Sequence, residues 1–244
     1  METLREAARI KPDDAEVHFR LGTAYAQLGR WGEAIAAYDR GVELDPTNYD
    51  RWCLAAALHA GAGDVEGYRR TCRGMLKRFG ATDHAQPAER ITKACLLLPD
   101  ALSAADFERV QQLAGLAVTG TEKDGYYHFF MMSKGLADHR AGRYAEAVKC
   151  LERFPANADG THWDATKLAV LALAHYRLGD TKEAEAALAK SKAILAQKMP
   201  DPAKGRLFGD RDWHDWLHAQ ILCREAEALL KNESGVRNQE SEKK

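Results

Sequence analysis

Apolar side chains in this chain return at intervals of three and four residues. Leu21 and Tyr25 lie four apart, and Ala34, Tyr38 and Gly41 share a second stripe. Each set falls on one face of a helix, and the two helices read as antiparallel partners. Gly22 and Ala34 are small where two such backbones must approach closely. Pro12 and Pro46 stand 34 residues apart. Proline can begin a helix but cannot continue one, so Asp45-Pro46 closes the unit and resets the chain. The pattern predicts a helical hairpin that recurs along the sequence.

This period and these residue types resemble the tetratricopeptide repeat. The resemblance implies an all-α, right-handed α-solenoid of about twelve helices, stacked as helical hairpins and closed by a C-terminal capping helix. The repeats are placed at 15–48, 49–82, 128–161 and 165–198, with a degenerate unit at 83–122. In the second unit Tyr68, Cys72 and Met75 replace the small residues of the pattern and are expected to push its helices slightly apart. In the degenerate unit Gln86 to Leu98 reads as one helix and Ala104 to Val118 as its partner. Gly142 to Val148 parallels Gly29 to Ile35 position for position, while Lys134 and Asp138 stand where leucine and tyrosine are expected. Residues 1–14 read as half a repeat, a second helix without its first. The chain is therefore expected to be a fragment of a longer protein; the alternative is that the lone helix caps the array. Residues 212–231 are assigned to the capping helix, with Trp213, Trp216, Leu217, Ile221 and Leu222 covering the last apolar face. The tail 232–244 is expected to be disordered.

Composition narrows the function. Lys plus Arg (35) nearly balances Asp plus Glu (36), which removes the bulk attraction that nucleic-acid binding relies on. No apolar run approaches the roughly 18 residues of a membrane helix, and the first residues lack a secretory h-region. Cys53, Cys72, Cys95, Cys150 and Cys223 are odd in number and lie at least 19 residues apart, neither a disulfide framework nor a zinc pattern. The expectation is a reduced, cytoplasmic protein with no nucleic-acid or membrane partner.

A second resemblance concerns Tyr68 to Cys72, Ala94 to Pro99 and Asp212 to Leu217. These blocks look like tetratricopeptide regions that follow bacterial Ser/Thr protein kinase domains, with Trp213-His214-Asp215-Trp216 the most specific. The kinase elements themselves (G-x-G-x-x-G, V-A-x-K, H-R-D and D-F-G) are absent. The resemblance implies an accessory module whose kinase lies upstream on the same chain or on a separate one.

Candidate chemistry is sparse. His214 and His218 lie four apart on a helix, as in the zinc motif H-E-x-x-H, but Asp215 is one carbon shorter than the glutamate of that motif. Without a third ligand the preferred reading is that they flank a tryptophan pair on a half-exposed helix. His59 and His175 hold equivalent positions and read as packing residues with a satisfied ring nitrogen. No G-x-S-x-G and no phosphate loop appears. The chain is read as a non-enzyme with no cofactor, no metal and no catalytic residue.

The tetratricopeptide resemblance also implies a concave surface lined by the first helices of successive repeats. Carried over by position, it consists of Phe19, Thr23 and Gln27 from the first unit and Cys53 and Ala57 from the second. The fourth contributes Phe129, Met132, Leu136, His139 and Arg140, and the fifth Ala169, Leu173, Tyr176 and Arg177. A carboxylate clamp is absent, because Phe19, Thr23 and Leu54 occupy its positions. The lining is apolar and rimmed by Arg140 and Arg177, which suits an amphipathic helix or an extended apolar peptide. The function expected is a scaffold that binds a protein or peptide partner in this groove. The alternatives are a structural spacer without a ligand and, ranked last, a metal-binding protein using His214 and His218.

Overall fold

The computed structural model describes residues 2–119, 127–153, 160–209 and 212–241, with side chains through Lys231. Among them are twelve α-helices and no strand. Helix α1 spans Glu2–Ile10. The hairpins follow as α2 (Ala15–Gln27) with α3 (Trp31–Leu44), α4 (Tyr49–Ala62) with α5 (Val65–Phe79), and α6 (Ala85–Cys95) with α7 (Ala104–Ala117). Then come α8 (Tyr127–Arg140) with α9 (Tyr144–Glu152), α10 (His162–Leu178) with α11 (Thr181–Lys198), and finally α12 (Trp213–Ser241). Among the described residues no helix is long and apolar enough to cross a membrane.

Local chemistry explains the regular units. Asp14, Asn48, Asp64 and Ser103 accept hydrogen bonds from the first free amides of α2, α4, α5 and α7, and Thr161 with Asp164 forms a capping box on α10. The turn inside each regular hairpin needs a left-handed residue, supplied by Gly29, Gly63, Gly142 and Gly179 at φ 68°, 75°, 76° and 86°. Each turn is then locked the same way. Arg30 N donates to Tyr25 O, Asp64 N to His59 O, Arg143 N to Asp138 O and Asp180 N to His175 O, every one at 2.9 Å. Across the first hairpin a Cβ at Gly22 would lie 2.6 Å from Tyr38 Cδ2, so only glycine lets these backbones come so close.

The degenerate unit departs from this scheme. Its turn has no glycine; Asp100 takes the left-handed conformation at φ 51°. Helix α6 also stops at Cys95, short of the Leu98 expected from sequence. The leucines that follow give their backbone to other partners: the Tyr68 hydroxyl donates to Ala94 O at 2.8 Å and accepts from Leu97 N at 3.1 Å. Tyr68 is wholly buried in that role. Lys134 and Asp138 are accommodated by pairing, since Asp138 accepts from Lys134 Nζ and, at 2.7 Å, from Arg143 Nη2.

The last segment differs most from expectation. Helix α12 does not simply cover the final hairpin. It packs along α10 and α11 and also against α4 of the second unit, far away in sequence. The connection leading to it returns to the first unit. Pro202 lies against Gly29, the Phe208 ring meets Trp31 at 5.5 Å, and Phe208 N donates to Gln27 O at 3.3 Å. Trp213 then reaches Tyr38 at 6.0 Å between ring centroids. The reason is hydrophobic: Trp213, Trp216, Leu217, Ile221 and Leu222 are all buried, in one core with residues of α2, α4, α8 and α10. The helix also continues through Ser241, past the expected end at Lys231; no proline interrupts it. Residues 242–244 of the expected disordered tail lie outside the described residues.

Candidate functional site

Helix α12 packs against α4 and α10, two of the first helices expected to line the groove. Phe19, Cys53, Ala57, Met132, Leu136, Ala169 and Leu173 are buried within one continuous core that includes Trp213, Leu217 and Leu222. A free apolar groove running from the first to the fifth unit is therefore not what these residues form. Thr23, Gln27, Phe129 and Tyr176 are half-buried. Thr23 Oγ1 and the Tyr38 hydroxyl share a 2.9 Å hydrogen bond, the Gln27 backbone carbonyl accepts from Phe208 N, and the Phe129 ring meets Trp163 at 4.3 Å in a tilted contact. The sequence missed this because nothing in the α12 pattern distinguishes an end cap from an interior filling.

Three residues of the expected lining meet at an opening that α12 leaves. A cleft of about 650 Å³ lies between the α6–α7 connection, the ends of α8 and α10, and α12; its walls include His139, Arg140, Tyr144, Arg177, Glu225 and Leu229. Arg140 organises it. Its Nε donates to Leu96 O at 3.0 Å, and its Nη2 donates to Leu97 O at 3.2 Å and to Glu225 Oε2 at 2.6 Å. The guanidinium is almost wholly buried, so this bidentate pair ties α12 to α8 in a low-dielectric setting. Arg177 stands exposed at the rim. His139 is buried with its Nδ1 unpartnered; burial, helped by the Arg140 and Arg177 charges, pushes its pKa down to about 3.

A second cluster lies under the start of α12 and was not foreseen. His214 and His218 are buried rather than half-exposed, at 8% and 3% exposure. Asp215 lies 3.5 Å from His214 Nε2 and 3.6 Å from His218 Nδ1. From α6, Lys93 Nζ approaches Asp215 at 3.7 Å and Glu89 at 3.4 Å, and lies 4.4 Å from the centre of the Trp163 ring. Ser133 of α8 donates to Glu89 at 2.7 Å. Burial lowers the pKa of His214 to about 4, and lowers those of His218 and His162 as well. Burial alone would raise the Asp215 carboxyl, but His214, Lys93 and His218 around it hold it at about 2. Among the described residues no group of three or more His, Cys, Asp or Glu side chains is disposed to hold a metal ion. Glu89 and Lys93 stand four apart on α6, a spacing common on exposed helix faces, so nothing in it marks them as buried.

His59 and His175 have the ring-nitrogen partners expected of them. His59 is buried between Asp39 at 3.0 Å and Asp64 at 2.8 Å. His175 Nδ1 lies 3.4 Å from Asp180. The five cysteines are all free and buried.

Comparison with known proteins agrees with this architecture. Residues 15–48 match the tetratricopeptide repeat family. The chain is similar in structure to a tetratricopeptide repeat protein from Parabacteroides merdae ATCC 43184, with 15% identity, TM-score 0.52, and coverage of 93% of this chain and 84% of that one. It is also similar to a thermophilic TPR protein from Thermus thermophilus, with 17% identity, TM-score 0.51, and coverage of 76% and 94%. At these identities the likeness is one of fold. In sequence it is 40% identical over 48 residues to the small glutamine-rich tetratricopeptide repeat-containing protein 2 of Mycosarcoma maydis. That stretch is 20% of this chain and 14% of the length of that curated relative.

Proposed function

On this tetratricopeptide-repeat fold, we propose that the chain is a protein-interaction scaffold, with a helix or extended peptide as its ligand. The ligand enters where α12 leaves the groove open. The observation that carries this reading is the cleft of about 650 Å³, with Arg177 exposed at its rim and aromatic and aliphatic side chains in its walls. Aromatic and arginine side chains carry most of the energy in such contacts. The groove also already holds one helix, α12, so its dimensions suit that class of ligand. No catalytic role is assigned to any residue.

The finer reading is an accessory module of a bacterial Ser/Thr kinase signalling protein. It rests on the sequence blocks at Tyr68, Ala94 and Asp212 alone. Reading the coding sequence contiguous with this chain tests it: a kinase domain in frame supports it, and an unrelated domain removes it.

Binding itself is tested with a phage-displayed peptide library selected on the purified chain. Selected peptides are then cross-linked from a photoreactive residue at position 177 or, as control, at Lys77, exposed on α5. Cross-linking at 177 alone, with about tenfold weaker binding to Arg177→Glu, is expected. Cross-linking at 77, or undiminished binding to the variant, overturns the reading. A structural spacer is the second reading, and the extent to which α12 fills the groove favours it.

A further inference from the structure

We propose that α12 is a proton-sensitive latch: acidification of the polar cluster beneath its first turns releases it from the groove while the hairpins stay folded. The proposal rests on the groove reading only for its consequence, since a released α12 would uncover the partner surface. The seat itself can be measured without any partner.

The geometry is unusual for a core helix. The anchors Trp213, Leu217 and Leu222 are matched by a polar stripe on the same buried turns. Neither ring nitrogen of His214 or His218 makes a hydrogen bond, nor does His162 Nδ1. Buried polar atoms without partners weaken the seat, because leaving the groove returns them to water. The connection that carries α12 is mostly irregular, with Phe208 as its anchor against Trp31. Between Met199 and Asp212 its only regular element among the described residues is a 3-10 turn at Pro202–Lys204.

Charge sets the direction of the response. Facing the two α12 histidines are Asp215 of the same helix, Lys93, Glu89 and Arg90 of α6, and His162 of α10. Asp215, Asp212 and Asp164 act on His162, Ser133 of α8 donates to Glu89, and Asp50 of α4 is already held by Arg90 at 2.8 Å. Lys93 opposes protonation of both α12 histidines, so added positive charge there is resisted. Released into water, each histidine would accept a proton near its ordinary value of about 6.5. Seated, His214 does so only near 4, and His218 and His162 are held below 6.5. The released form therefore binds more protons below pH 6.5, and acid favours it. Asp215 acts in the same sense at still lower pH, being held at about 2 in the seat. His139, in the cleft beside Glu225, adds to the same direction. In the opposite sense, His59 bridges Asp39 and Asp64 and is strengthened by protonation, which keeps the hairpins of the first two units together.

Hydrogen–deuterium exchange on the full chain between pH 7.5 and 4.5, corrected for intrinsic rates, tests the latch. Protection of residues 213–231 is expected to fall by up to about tenfold per pH unit below 6.5 for each histidine that gains a proton on release. Residues 15–44 and 49–79 should keep theirs. In His214→Gln with His218→Gln the slope should flatten. Constant protection of α12 down to pH 4.5, joint loss from α12 and the hairpins, or an unchanged slope in the double variant would each overturn the proposal. Should the double variant fail to fold, the wild-type profile still decides between the first two outcomes and the latch.

Discussion

Leu217 of α12 rests on Gly61 of α4, so that a Cβ at position 61 would stand 3.1 Å from Leu217 Cδ2. This contact lets a helix from the far end of the sequence lie against the second unit. Gly61→Ala should be close to neutral, because the leucine tip can move and alanine gains up to about 1 kcal/mol of helix propensity. Gly61→Leu should wedge α12 away at a cost of about 1–3 kcal/mol. Urea melts followed by tryptophan emission would check both.

The hairpin glycines separate steric need from helix propensity. At Gly22 an added Cβ meets Tyr38, which is wholly buried and cannot yield. Gly22→Ala should therefore destabilise by about 1–3 kcal/mol. At Gly115, exposed on α7, nothing lies within 4 Å. There the same substitution should stabilise by up to about 1 kcal/mol. Thermal midpoints moving in opposite directions are the expected result.

Arg140 joins α8, the α6–α7 connection and α12 through one guanidinium. Arg140→Ala leaves Glu225 without its counter-charge and the Leu96 and Leu97 carbonyls without this donor. A loss of about 3–5 kcal/mol is expected from breaking so buried a pair. Arg140→Lys should recover only part of it, since lysine cannot form the two-pronged contact. Denaturant midpoints of the two variants give the comparison.

His59 supplies a pH signature with a definite sign. Burial would lower its pKa, but Asp39 and Asp64 outweigh that and hold it above the ordinary value of 6.5. Its contribution is therefore complete below pH 6.5 and is lost as pH rises through the raised value. The stability gap between wild type and His59→Gln should be widest near pH 6 and narrow toward pH 9. A gap that widened with pH would contradict the bridge.

The hairpins were legible in sequence because local chemistry fixes them. Gly29, Gly63, Gly142 and Gly179 recur at one position of each regular unit, and only a left-handed turn explains them. The sequence pattern places the end of α6 three residues too late because Tyr68 and Arg140, distant in sequence, take over the backbone of Leu96 and Leu97. The groove lining was mapped by position, yet Phe19, Ala57 and Leu173 lie buried in the core with α12. Which helix fills a cavity depends on a return path through Pro202 and Phe208, and no periodicity encodes that path.

That return path bears on how the molecule is made. An open stack of repeats can fold piecewise from the amino end, each hairpin settling on the one before. Here Phe208 and Trp213 complete packing around Trp31 and Tyr38, so early units emerge from synthesis with their inner aromatic faces still bare. Contacts so distant in sequence slow folding and lengthen the interval of exposure. The bare aromatic face of the first hairpin should consequently depend on chaperone cover until the final helix arrives.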